Sequence, residues 1–182
     1  HVDFHEMGYE SPYYFAPAAQ PYHNHVTAWQ GDFQNQIGRN HAKYFDENGW
    51  LYYTREDFDL FYPSYGDTYP IFNGSIGMTY EQGGHSRAGR AITLENGDTL
   101  TLRDRIEHHK TTSLSTIEMG ALHAESLVQK FEAYFKESKE NPKGKYKTFV
   151  VSGANSMDKI NALCDFLDKH KIQYGSVGTE IT

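Results

Sequence analysis

Glu81 and His5 are the two residues whose types and positions could do acid–base or metal chemistry together. Glu81 closes the stretch Gly74-Ser-Ile-Gly-Met-Thr-Tyr-Glu81, which reads as a strand of period two. Ile76, Met78 and Tyr80 fall on one face and are bulky enough to pack on a core, whereas Ser75, Gly77 and Thr79 on the other face are small. Space is therefore left beside the carboxylate. Gly83 and Gly84 stop the strand and leave Glu81 at its C-terminal edge, where open α/β sheets hold their ligands. His5 ends a second short strand that begins at Val2. Taken singly, each has a plain structural role, a solvated Glu at a strand end and a hydrogen-bonded His. If the two strands are neighbours in one sheet, imidazole and carboxylate meet at one edge, as a metal-assisted hydrolase requires.

The elements that must position these two residues follow from local signals. Val2 to His5 and Tyr13 to Ala16 read as strands joined by a turn around Gly8 and Ser11-Pro12. From Val26 the period changes: Val26, Trp29, Phe33, Ile37, His41, Tyr44 and Phe45 recur at steps of three or four, so residues 26 to 47 form an amphipathic helix stopped by Asn48-Gly49. Leu51-Tyr52-Tyr53 is extended. A long loop from Arg55 to Asn73, rich in Asp, Tyr and Pro, has the length of a functional loop, and its aromatics argue against disorder. Asn96-Gly97 between Ile92-Thr93-Leu94 and Leu100-Thr101-Leu102 predicts a hairpin. Thr101 with Asp104 caps a helix that runs to about Lys136, with Ile117, Ala121, Ala124, Val128, Phe131 and Phe135 on one stripe and a bend at Thr111-Thr112-Ser113.

Glu137 to Lys147 is charged, contains Asn-Pro and Gly144, and reads as a linker. Beyond it, strand Thr148–Val151, helix Met157–His170 and strand Ile172–Gly175 make the opening β-α-β of a second α/β domain, Rossmann-like or amidotransferase-like. The expected fold is thus α/β, a mixed sheet with helices on both faces over residues 1–140, followed by the start of that second domain over 147–182. The Ser152–Asn155 turn could bind an anion, His23-x-His25 and Glu107-His108-His109 read as solvated polar groups, and Cys164 as a buried inert thiol.

At 182 residues with 15% aromatics, the chain can bury a core. A net charge of -7 and a pI of about 5.8 argue against nucleic acid or an anionic membrane as partner. The single cysteine rules out a disulfide scaffold, and no apolar run reaches the roughly 20 residues of a membrane span. The first residue is not Met and already lies in a strand, so the chain is expected to be a fragment of a longer protein.

Three motifs together, Asp3-Phe4-His5-Glu6-Met7-Gly8, Phe61-Tyr62-Pro63-Ser64-Tyr65-Gly66-Asp67 and Gly77-Met78-Thr79-Tyr80-Glu81, resemble the later half of the catalytic domain of zinc carboxypeptidases of the carboxypeptidase A-like type, most closely bacterial multidomain members. The resemblance covers roughly residues 1 to 136. It implies a zinc cofactor with His5 as third ligand, Glu81 as general base, and Tyr62, or its neighbour Tyr65, as the tyrosine that closes over the substrate. It further implies a peptide or protein substrate losing its C-terminal residue, a periplasmic or secreted location, and the upstream half of the domain as partner. The chain departs from the pattern in one respect: the family's first two ligands come as His-x-x-Glu, and none of the ten His here has a Glu three positions on. The substrate-binding Arg and Asn also lack counterparts, and Arg87 and Arg90 read as structural or surface residues. The isolated chain is therefore expected to be inactive, with one ligand and the base of a site it does not complete alone. The alternative expectation is a non-catalytic relative whose pocket binds a peptide or glycan; a third is a scaffold for the following domain.

Overall fold

Along the chain the elements are β1 (Val2–Met7), β2 (Tyr13–Tyr14), β3 (Ala19–Tyr22), α1 (Ala28–Asn48), β4 (Tyr52–Tyr53), β5 (Asp59–Leu60), α2 (Thr68–Ile71), β6 (Met78–Gly83), α3 (His85–Ala88), β7 (Ala91–Thr93), β8 (Thr99–Thr101), α4 (Leu102–Leu122), α5 (Ala124–Glu140) and α6 (Met157–Lys169). They come from a computed structural model, which describes residues 1–178. The chain divides into two compact units, His1–Glu140 and Asn141–Thr182.

The central sheet of the first unit has the order β1-β6-β2-β4 and is mixed: β1 runs parallel to β6, β6 antiparallel to β2, and β2 parallel to β4. Alternation along β6 decides what each face carries. Met78 and Tyr80 are buried under α1 and α4 together with Phe33, Ile37 and Phe45, while Thr79 and Glu81 face the other way. The two long helices thus cover the even-numbered face. The odd-numbered face is walled by residues 57–67 rather than by a long helix.

Helix α1 starts at a capping box, in which Thr27 Oγ1 accepts from the Gln30 N–H at 3.2 Å and the Gln30 side chain accepts from the Thr27 N–H at 2.9 Å. It ends at Gly49 in the left-handed region, φ 68°. Two of its buried glutamines hold the segment leading into β6: Gln30 donates to the carbonyls of Ile71 and Ser75, and Gln34 to that of Gly77.

Helix α4 differs from its sequence pattern. The box between Thr101 and Asp104 forms, but the helix breaks at His123 and not at Thr111-Thr112-Ser113. Thr112 and Ser113 return their hydroxyls to carbonyls one turn back, so these polar side chains are satisfied without interrupting the helix. The apolar stripe of Ile117, Val128, Phe131 and Phe135 is exposed. The buried face is instead Arg105, His108, Thr112, Ser115 and Met119. Its partners are polar groups of the sheet and α1: Tyr80 Oη bonds Thr116 Oγ1 at 2.8 Å, His108 Nδ1 bonds Gln82 Oε1 at 2.7 Å, and Ser115 Oγ bonds His41 Nδ1 at 2.7 Å. Tyr13 Oη completes the layer against His109 Nδ1 and Thr112 Oγ1. His108 and His109 are therefore part of the packed layer, a correction to their expected place on a solvated face.

In the second unit α6 forms as expected, but Thr148–Val151 and Ile172–Gly175 are not strands among the described residues. A strand exists through its ladder, and neither segment finds a neighbour to pair with. No described helix is long and apolar enough to cross a membrane.

Burial lowers the pKa of His41 to about 3 and that of His108 to about 4, from an ordinary value of 6.5. Both imidazoles are neutral in the fold, so the unfolded chain takes up their protons first as pH falls. Stability is complete above about pH 6.5 and declines below it by about 1.4 kcal/mol per pH unit for each imidazole, until the folded forms protonate. Urea titrations across this window should show that decline, and His41→Asn should remove about half of the slope. A flat profile between pH 6.5 and 4.5 would contradict it.

Candidate functional site

The parallel ladder between β1 and β6 pairs Asp3 with Thr79 and His5 with Glu81. All four are odd-numbered, so their side chains emerge on the face away from the helices. They floor a cavity of about 420 Å³, whose walls come from Asp57, Phe58, Asp59, Tyr65, Gly66 and Asp67. That volume falls within the usual range for small-ligand sites, roughly 300–1,000 Å³.

Two glycines let the backbone close around this floor. A Cβ on Gly77 would lie 1.7 Å from the Asp67 carbonyl oxygen, and one on Gly83 2.4 Å from that of Ser11. Only a residue without a side chain lets the 57–67 wall and the turn after β1 approach the two ends of β6. The wall then delivers Asp67, which is buried and accepts hydroxyl hydrogen bonds from Thr79 at 2.9 Å and Thr68 at 3.1 Å.

His5 Nδ1 stands 3.2 Å from Glu81 Oε1, with the imidazole 63% exposed and the carboxylate 6% exposed. Glu81 Oε2 is buried and has no hydrogen-bond partner among the described residues. Burial raises the Glu81 pKa above its ordinary value; His5 pulls it partly back, and Asp3 and Asp67 push it up further. A carboxyl raised by burial and tied at one oxygen has the features of a proton acceptor.

The tyrosines separate. Tyr65 lines the cavity, whereas Tyr62 lies outside the lining with its ring 5.7 Å from that of Tyr65. Both are exposed. His23 and His25 stack on each other away from the cavity, and Arg87 and Arg90 are exposed.

A zinc ion takes three or four protein ligands. Among the described residues no three His, Cys, Asp or Glu side chains are grouped so that they could hold a metal ion. His5 offers one ring nitrogen while the other is engaged with Glu81. The residues present do not, by themselves, fit zinc.

The sequence assigns the cavity aspartates no role, although Asp3 and Asp67 stand within the motifs and Asp57 and Asp59 in the long loop. One signal was available: Asp3 stands two residues before His5, on the same face of the same strand. Asp57, Asp59 and Asp67 come from a segment far from β1 and β6 in sequence, and no local signal places it against the sheet. Compared with known proteins, the chain matches no family model, no curated protein and no solved structure.

The charge arrangement around Glu81 has a direct test in the carboxyl titration followed by NMR. Asp3→Asn should move the Glu81 pKa down by removing a neighbouring negative charge, and His5→Gln should move it up. Shifts of the opposite sign, or none, would show that these side chains do not act on Glu81.

Proposed function

We propose that this chain supplies the general base and the substrate-side wall of a zinc-dependent carboxypeptidase, hydrolysing C-terminal peptide bonds. The observation that carries the proposal is the pairing of His5 with Glu81 within the β1–β6 ladder, on the floor of a cavity of about 420 Å³. The three motif segments that resemble the family meet at this same cavity: Asp3 and His5 from the first, Tyr65 to Asp67 from the second, Thr79 and Glu81 from the third.

In this role Glu81 accepts the proton of a water attacking the scissile carbonyl and passes it to the leaving amine. His5 holds Oε1 and so fixes the orientation of the carboxylate. Tyr65, already at the rim, is the better placed of the two tyrosines to donate to the substrate. Zinc chemistry is assigned no step here, since the described residues do not hold the ion; the proposal places the remaining ligands on a further segment that joins this chain in the working enzyme.

In a preparation joining this chain to such a segment, Glu81→Gln should lower turnover of a C-terminal peptide about 100- to 10,000-fold with zinc content unchanged. Loss of zinc together with turnover would make Glu81 a ligand; unchanged turnover would reject the base assignment. By equilibrium dialysis, the 182-residue chain alone should take up no stoichiometric zinc, and a tight site would overturn this assignment of ligands.

A further inference from the structure

We propose that a second copy of this chain pairs with β1, edge to edge and antiparallel, about a two-fold axis that passes between the two Phe4 residues. The inference is independent of the peptidase proposal. β1 is the outer strand of the sheet, and among the described residues no strand pairs with its other side. Phe4, His5 and Glu6 are consecutive, point to alternate faces and are all exposed, as on an open edge. The ladder on the closed side tells which peptide groups the open side presents. The Met78 N–H donates to the His1 carbonyl and the Gly84 N–H to the Met7 carbonyl, so β6 engages the odd-numbered residues of β1. Peptide groups of successive residues in a strand point to opposite edges, which leaves the N–H and C=O of Val2, Phe4 and Glu6 facing outward. Such a row of unpaired groups is a template for another strand.

Those groups select one register. In an antiparallel pair, directly opposed residues whose peptide groups face each other exchange both hydrogen bonds. With Phe4 opposite the second copy's Phe4, Val2 stands opposite Glu6 and Glu6 opposite Val2, and every outward N–H and C=O of β1 is paired. A shift of one residue would set these groups against odd-numbered ones already engaged by β6. A shift of two would leave outward groups unpaired at the ends, and would oppose Asp3 to Asp3 in one direction and His5 to His5 in the other.

The side chains favour the same register. On the cavity face it sets Asp3 opposite His5 on both sides of the axis, at the non-hydrogen-bonded positions where facing side chains come closest. Asp3 forms no ion pair among the described residues, and the His5 imidazole, whose Nδ1 meets Glu81, is 63% exposed. On the opposite face the two Phe4 rings, each 43% exposed, meet across the axis. Phe4 lies edge-on to His109, and Ile106, one helical turn earlier, is exposed beside it, so the apolar surface continues onto α4. The second copy would thus bring a residue to the cavity, its Asp3 against the open side of His5.

Cross-linking tests the register directly, in the 182-residue chain with its single native thiol removed by Cys164→Ser. Opposed Cα atoms of a hydrogen-bonded antiparallel pair stand about 5.5 Å apart, within disulfide range, so Phe4→Cys should cross-link to itself under mild oxidation. Two copies of Glu6→Cys lie beyond the roughly 7 Å that a disulfide spans and should not, whereas Glu6→Cys mixed with Val2→Cys should. Self-linking of Glu6→Cys, or no linking of Phe4→Cys in a folded chain, would overturn the proposal. A second measurement needs no variant. Sedimentation of the unaltered chain should show a dimer, with amide exchange at Phe4 and Glu6 slower than in the monomer and that at Asp3, His5 and Met7 slow in both. Asp3→Asn should weaken association about fivefold. A chain that stays monomeric up to about 1 mM, or a dimer in which the Phe4 and Glu6 amides exchange as in the monomer, would reject it. Protection of those two amides in the monomer would show the edge to be closed within one chain, and would also reject it.

Discussion

The register between β1 and β6 is the constraint on which the cavity depends. Side chains alternate with a period of two, so a slip of one residue would turn His5 under the helices and leave Glu81 facing a different neighbour. The six consecutive pairs from Val2–Met78 to Met7–Gly83 are therefore held by more than backbone hydrogen bonds. Phe4, on the even face of β1, meets Tyr80 edge-on at 5.4 Å and His109 edge-on at 5.1 Å. That contact crosses from the edge strand to β6 and to α4 at once, and cross-strand aromatic pairs of this kind each stabilise by about 0.2–1 kcal/mol. The cavity face is thus registered from behind, by an aromatic contact on the opposite face.

The layer under the even face uses hydrogen bonds where many sheets use aliphatic packing. His41, Gln82, His108, Thr112 and Ser115 are buried, and most of their polar atoms find one another across three elements. Such a network defines the rotation of α1 and α4 about their axes, because a helix turned by one residue would leave several donors unpaired in a low-dielectric layer. It is also incomplete: His41 Nε2 and Arg105 Nε lack partners among the described residues. Those two atoms carry an uncompensated desolvation cost, which His41 limits by remaining neutral.

Local signals in the sequence sufficed for the alternation of Met78 to Glu81, for α1 with its Gly49 stop, and for the Asn96-Gly97 hairpin. Each is written in a short window through alternation, helical period or turn chemistry. β6, by contrast, runs on through Gly83, expected to stop it, and the meeting of His5 and Glu81 needed the long-range pairing of β1 with β6. Where sequence reading failed, the deciding partner lay far along the chain. The buried face of α4 has a clear helical period in Arg105, His108, Thr112, Ser115 and Met119, but those types look like a surface until Gln82, His41 and Tyr13 are brought against them. Thr148–Val151 and Ile172–Gly175 have the composition of strands, and composition does not say whether a pairing partner exists. The acidic wall was missed for the same reason, since Asp57 to Asp67 gain their meaning only when Gly77 admits the loop to the sheet.

The acidic wall and the raised Glu81 pKa are two consequences of one arrangement. Withdrawal from water is the larger cause, and the neighbouring charges of Asp3 and Asp67 add to it. His5 alone pulls the other way, so the Glu81 carboxyl is set by a balance in which burial outweighs the one imidazole beside it, and a change in the packing of the 57–67 wall would move that balance more than a change in any single neighbouring charge.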